Sequence, residues 1–328
     1  MKLGSLKSGG RDGTLIVLSR DLAHAAPAGD IAPTLQAALD DWDRSAAPLR
    51  QRYEDLQQGR ASGAFVLNVE DLAAPLPRAY QFLDGSAYLA HVERVRRARG
   101  AEMPPSFLTD PLMYQAVSDG FLPPVGTIPV ASEEFGMDFE SEVCVVTDDV
   151  PMGVTAAEAA DHVVLLCLVN DVSLRNLIPA ELGKGFGFLQ SKPRSALSPA
   201  MVTPDELGDA WRDGKLQLPL VTYLDGERFG EPEAGADMQF SFHELIAHAA
   251  RTRPLAAGTI IGSGTVANQD ESRGASCLAE KRMLEIIRDG QATTPFLSFG
   301  ASVRIEMLDR AGHNIFGSIE HVYEPYRR

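Results

Sequence analysis

Apolar positions change their period along the chain, and the change marks out its organisation. After a Gly-rich stretch at 8–13, the run Thr14 to Ser19 predicts a strand in a small β-containing unit. From Ile31 to Gln58, Leu35, Leu39, Trp42 and Leu49 recur at near-helical spacing and predict a helix ending near Gly59. Ala64 to Val69 predicts another strand, after which Pro75 and Pro77 interrupt regular structure. That interruption sets the expected division into a small N-terminal domain, 1–77, and a larger one, 78–328. Tyr88 to Arg99 predicts a helix ending at Gly100, with Arg94, Arg96, Arg97 and Arg99 towards its C-terminal end, where cations suit the helix dipole.

From Asp138 the period falls to two. Phe139, Val143 and Val145 alternate with acidic or small residues up to the Asp148-Asp149 turn. Thr155 with Glu158 fits a capping box, and the run His162 to Val169 predicts a buried strand ending at Asn170-Asp171. Further strands are predicted at Leu218 to Leu224, Thr259 to Ile261, Ser302 to Leu308 and Ile315 to Ile319, with a hairpin turn at Asp225-Gly226 and a helix from Phe242 to Ala250. The chain shows no internal repeat and no low-complexity tract.

Composition narrows the function classes. With 328 residues, 45% of them hydrophobic, the chain can bury a substantial core. A formal charge of -15 opposes encounter with nucleic acid or an anionic membrane. Cys144, Cys167 and Cys277 are widely spaced and form no CxxC pair, as expected of a reduced, cytoplasmic protein. Leu15 to Leu18 is too short for a signal-peptide core, and the seven residues Val163 to Val169 are too few for a membrane span.

The chemistry gathers in Met137-Asp138-Phe139-Glu140-Ser141-Glu142-Val143, where three acids occupy every second position. On a strand this spacing aims all three at one face, roughly 6.5 to 7 Å apart. Two readings follow: a solvated sheet face, or a site where a cation relieves the repulsion. Asp171 stands directly after the buried run, as an Asx turn, a helix N-cap or a further ligand. Oxygen-only ligands favour a hard cation such as Mg2+, Mn2+ or Ca2+.

Asp-x-Glu-x-Glu, followed about thirty residues later by Asn170-Asp171-Val172-Ser173-x-Arg175, resembles the catalytic domain of the fumarylacetoacetate hydrolase family. The resemblance implies that Glu140, Glu142 and Asp171 bind a divalent metal, Mg2+ or Ca2+ with Mn2+ as a further choice. Asp84 precedes His91 by seven residues, the interval at which fumarylacetoacetase places a fourth ligand and the catalytic histidine, so Asp84 is implied as a ligand and His91 as the general base. Gly262-Ser263-Gly264-Thr265 resembles the family's glycine-threonine turn beside the substrate, Lys192 stands where a lysine commonly follows the aspartate motif, and Glu280 resembles the acid that orients the histidine. Arg175 is implied either to anchor a substrate carboxylate or to hold its loop by an ion pair.

The implied fold is α+β, a mixed β-sandwich or roll catalytic domain with a small N-terminal β-containing domain, assembled as a homodimer. The implied activity is metal-dependent hydrolysis of a carbon-carbon bond in a small diketo acid, fumarylacetoacetate or a related acylpyruvate. A keto-acid decarboxylase of the oxaloacetate type, a hydratase and a non-catalytic metal-binding relative are the alternatives. The chain departs from fumarylacetoacetase after Arg175, at Asn176 to Leu182 and the Gly-rich stretch Gly183 to Phe188, which predicts a different pocket wall.

Overall fold

Two sheets carry the fold in this computed structural model, which describes residues 1–98 and 104–327. Among the described residues the larger sheet has eleven strands. Its order runs Phe65–Val66, His24–Pro27, Thr14–Leu18, Lys2–Leu6, Met201–Val202, Val163–Asn170, Ser141–Thr147, Ile260–Gly262, Phe82–Gly85 and Met113–Ala116, with Ala196–Leu197 paired to the side of Val163–Asn170. The N-terminal strands thus extend the same sheet that carries the acidic motifs. A second sheet, in the order Glu227–Gly230, Val221–Leu224, Ser302–Glu306, Ile319–Pro325 and Val125–Val130, lies with one of two hydrophobic cores. The architecture is α+β.

The central strands are buried on both faces, which explains their nearly unbroken apolar sequence. Val143, Val145, Leu166 and Leu168 enter the core shared with the second sheet. Cys144, Val146, Leu165 and Cys167 enter the other, packed with Leu35, Leu49 and Tyr53 of the N-terminal helices. All three cysteines are free and buried. No helix among the described residues is long and apolar enough to cross a membrane.

Most predicted elements form, with instructive shifts. The single helix expected over 31–58 is two, Leu35–Leu39 and Trp42–Gln57. Thr34 caps the first through the Ala37 N–H, and Asp41 leaves helical geometry before the second begins. The strand expected over 64–69 shrinks to Phe65–Val66, because the Asn68 side chain starts a 3-10 turn over Val69–Asp71. The predicted strand Ile315 to Ile319 begins only at Ile319, since Gly317 turns the backbone with φ 77°. Thr155 and Glu158 form the expected capping box. Asp225 and Gly226, at φ 50° and 82°, close the expected hairpin.

The helix after the Pro-rich segment spans Leu89–Ala98. Arg99 and Gly100 lie outside the described residues. Arg94 is not a surface cation complementing the dipole: it is 7% exposed and buries its guanidinium against Glu280. The strand Phe82–Gly85 and the helix Leu278–Asp289 were not anticipated, and both supply the site.

A buried carboxylate cluster as candidate active site

Strand pairing brings the acids together. Ile260–Gly262 runs antiparallel to Ser141–Thr147 and parallel to Phe82–Gly85, with Gly262 opposite both Cys144 and Asp84. Val163–Asn170 flanks the other side of Ser141–Thr147, setting Val169 opposite Glu142 and Asn170 opposite Ser141. Asp84, Glu142 and Asp171 therefore come from neighbouring strands at one end of the sheet. Asp171 reaches back to this end because its N–H is held by the Glu140 carbonyl at 2.9 Å.

Small residues permit the approach. A Cβ on Gly262 would lie 2.3 Å from the Asp84 carboxylate, and one on Gly264, at φ +73°, would lie 2.3 Å from the Gly85 carbonyl. In place of a side chain, the Gly264 N–H donates to Asp84 Oδ1 at 3.1 Å. Thr265 follows, 5% exposed and facing the same cavity.

Asp84, Glu140, Glu142 and Asp171 each offer an oxygen within 4.8 Å of the others, and all four are buried. This is not the solvated sheet face that the acidic alternation also allowed. The alternation does not act as one unit either. The strand breaks at 139–140, leaving Met137–Asp138 paired with Ser173–Leu174 instead. Asp138 points elsewhere, accepting the N–H groups of Leu278 and Ala279 at the start of a helix and the Arg175 Nε at 2.8 Å. Three acids were expected on one face; Glu140 and Glu142 meet in the cluster and Asp138 does not. Asp171 is neither an Asx turn nor a helix cap, since its carboxylate receives side chains only from elsewhere in the fold.

The charge balance is uneven. Lys192 Nζ donates to Glu140 Oε2 and Asp171 Oδ2, each at 2.5 Å, and Arg175 Nη2 donates to Glu140 Oε1 at 2.7 Å. Burial opposes ionisation of Glu140, but Lys192 and Arg175 outweigh it and hold the carboxylate well below its ordinary range. Lys192 does less for Glu142, and among the described residues neither of its oxygens meets a hydrogen-bond donor. Burial, then Asp84 and Asp171, push it well above the ordinary range. Asp84 is raised to about 8, chiefly by burial and then by Asp171. A buried polar group without a partner is costly. Either a proton shared within the cluster or a cation relieves it. Four converging carboxylates, with Glu142 wholly unpartnered, form an oxygen-only donor set that fits a hard divalent cation.

Beside the cluster, His91 Nδ1 faces Glu280 Oε2 at 3.4 Å. Arg94, one helical turn after His91, ion-pairs with the other Glu280 oxygen and donates to the Asn268 carbonyl at 2.6 Å. The structure thus brings together all nine residues singled out from the sequence around one cavity of about 350 Å³, with Glu280 and Asp171 supporting its lining from behind. Arg175 and Lys192 line it with donors already engaged by carboxylates.

Sequence reasoning missed Tyr114 and Ser195, whose hydroxyls donate to Asp171 at 2.6 Å each. It also missed Arg94, although its i, i+3 spacing from His91 was readable. The departing segment lines the cavity, with Ile178, Leu182 and Phe188 on it and Phe188 set edge-on to Tyr114 at 4.9 Å. Glu181 fixes that segment by accepting the N–H groups of Leu189, Gln190 and Ser191.

The frame is α+β, and it converges sheet-borne carboxylates and a histidine-carboxylate pair on one cavity. The chain belongs to the fumarylacetoacetate hydrolase family: residues 81–322 match its C-terminal region and residues 1–78 match fumarylacetoacetase N-terminal domain 2. A Burkholderia lata protein named as a hydrolase is 30% identical over 159 residues, 48% of this chain and 53% of that protein. The chain therefore spans about half the length of the curated relatives it matches. Among solved structures, maleylpyruvate hydrolase from Sphingobium sp. SYK-6 superposes with TM-score 0.67 at 14% identity, covering 99% of this chain and 100% of that one. A 2-hydroxyhepta-2,4-diene-1,7-dioate isomerase from Mycobacterium marinum superposes with TM-score 0.57 at 17% identity, covering 100% of each chain. At these identities the two structures show the fold alone, a fold that serves both hydrolases and isomerases.

Proposed function

We propose that this protein is a divalent-metal-dependent hydrolase that cleaves a carbon-carbon bond in an acylpyruvate-type diketo acid. The observation that carries the reading is Glu142, a buried carboxylate without a donor among three other converging acids, next to the His91-Glu280 pair. Asp84, Glu140, Glu142 and Asp171 would hold the cation, Mg2+ or Ca2+ with Mn2+ also suited to an all-oxygen set. When bound, the cation supplies a Lewis acid that offsets the acidic field and draws electron density from the diketo oxygens.

The chain's own residues then divide the proton work. Glu280, steadied by Arg94, faces His91 Nδ1 and so orients the ring, leaving Nε2 to take a proton from water. The water oxygen attacks the distal carbonyl of the diketone. The bond between that carbon and the adjacent methylene breaks, releasing a carboxylic acid and the enolate of pyruvate. His91 returns the proton to the methylene carbon, so water is consumed and the ring is restored. Lys192 spends two of its three donors on Glu140 and Asp171 and has the third for the enolate oxygen, where charge grows in the transition state. Thr265 borders the same space, and Arg175 keeps Glu140 in register through Asp138.

Residues 1–77 as an N-terminal domain, 78–328 as the catalytic domain and a homodimeric assembly belong to the same proposal. Incubation with fumarylacetoacetate, acylpyruvates and oxaloacetate, with and without chelator, tests it by product analysis. The proposal expects an acid plus pyruvate or acetoacetate, and loss of turnover with chelator. Carbon dioxide from oxaloacetate alone would assign a decarboxylase, and a rearranged or hydrated product without cleavage an isomerase or hydratase.

A further inference from the structure

One wall of the cavity is helical. Ala279, Arg282, Met283 and Ile286 project from one face of the helix Leu278–Asp289, at i, i+3, i+4 and i+7, and line the same space as the carboxylate cluster. Most of that wall is apolar; Arg282 is the exception. The cavity's other cations, Arg175 and Lys192, are bound to carboxylates of the cluster or its support. Arg282 has no carboxylate partner among the described residues; its recorded contacts are the Thr294 carbonyl and the Phe296 ring, 4.4 Å from the guanidinium carbon.

The mount for this cation is built. Glu285, three residues on, could have paired with it but instead accepts the N–H groups of Thr293 and Thr294 at 2.7 and 2.8 Å and the Thr294 hydroxyl at 2.5 Å. It thereby fixes the loop that presents the Thr294 carbonyl and, two residues later, the Phe296 ring. A guanidinium stacked on an aromatic face keeps its in-plane N–H fork open for an acceptor. A half-buried cation on an apolar wall is weakly screened and binds a carboxylate in paired hydrogen bonds more firmly than it would in water.

Resting on the hydrolase reading for the position of the diketo group, we infer that Arg282 is a specificity-determining residue that receives a carboxylate at the acyl end of the substrate. The preferred substrates are then acylpyruvates ending in a second carboxylate, held between the acidic cluster and Arg282. Glu285 and Phe296 act as positioning residues for the guanidinium.

The test compares fumarylpyruvate with crotonylpyruvate, in which a methyl group replaces the terminal carboxylate. The wild-type enzyme is expected to favour fumarylpyruvate about 10- to 100-fold in kcat/KM, the range for a lost hydrogen-bonded ion pair. Arg282→Met is expected to collapse that ratio towards one, and Arg282→Lys to restore part of it. A wild-type enzyme without the preference, or a preference that survives Arg282→Met, overturns the assignment. Calorimetric binding of the same two compounds in the His91→Ala background separates the two claims. If neither compound is cleaved by the wild type, the hydrolase reading falls. Arg282 then stands only if the diacid still binds more tightly and Arg282→Met removes the difference; equal binding, or none, overturns it.

Discussion

Two buried acidic centres in this chain are built in opposite ways. Glu206 is half-buried, its side chain 6% exposed, with the Met1 ammonium at 3.3 Å, Arg20 at 2.8 Å and the Tyr53 hydroxyl at 2.8 Å around it. Burial opposes its ionisation, but Arg20, Tyr53 and the N-terminal ammonium outweigh that and hold its pKa below the ordinary range. The centre joins the N-terminal strands and helix to the turn at 204–210 and leaves the acid with nothing to do but hold. The Glu142 centre gathers four acids, compensates mainly Glu140, and leaves Glu142 bare. One glutamate is fully paired and the other is left without a donor among the described residues, which makes the second the candidate for a cation brought from outside. Incomplete satisfaction, rather than acidity or burial, distinguishes the site from the joint.

The sharpest contrast comes from removing each acid. Glu142→Ala or Glu140→Ala should abolish divalent-cation binding, read by calorimetry, and lower turnover by about 1,000-fold or more. Glu206→Gln should leave both unchanged. Next in size, His91→Ala should cost about 100- to 10,000-fold in kcat while cation affinity stays within a few-fold of wild type, because the ring contributes proton transfer and no cluster oxygen. A His91 variant with full rate would remove it from the mechanism. On stability the order reverses. Glu206→Gln should lower the free energy of unfolding by about 2 kcal/mol in urea titrations, since two cations lose their partner. In chelator, Glu142→Gln should raise the melting temperature, because it removes the buried acid that its three acidic neighbours disfavour.

The pH dependence differs in sign between the centres. With Asp84 raised to about 8 by burial and then by Asp171, the unfolded chain gives up that proton first as pH rises. Stability of the metal-free protein should therefore fall from about pH 4, the ordinary carboxylate value, and level off above about pH 8. Glu206 is lowered in the folded chain, so its contribution is present above the ordinary carboxylate pKa and lost as pH falls. Thermal melts across this range, with and without Mg2+, should show the alkaline loss only without the cation.

What could be read beforehand follows the same division between local pattern and tertiary encounter. Glu140, Glu142 and Asp171 stand out as candidates because alternation and a buried run are properties of contiguous sequence, but their role as ligands came from the family resemblance. Asp84 and His91 were reachable only through their interval in a resembling family: the strand Phe82–Gly85 is four residues long and follows a Pro-rich break, too short for periodicity to register. Asp138 was misassigned to the common face because alternation cannot show that the strand breaks at 139–140. Tyr114, Ser195 and Arg282 carry no local signal, since their partners lie on elements distant in sequence or, for Arg282, on a loop fixed by Glu285. The split of the 31–58 helix was hidden because Leu39 and Trp42 keep the helical spacing across the break.

The central claim is that the bare Glu142 and its three neighbours await one hard cation that turnover requires. Titrating Mg2+, Mn2+ or Ca2+ into chelator-stripped protein while following acylpyruvate cleavage tests it most directly. The account predicts one cation bound per chain, with activity absent beforehand and returning in step with occupancy. Full activity in the stripped protein, or a cluster that takes up no divalent cation, would contradict it.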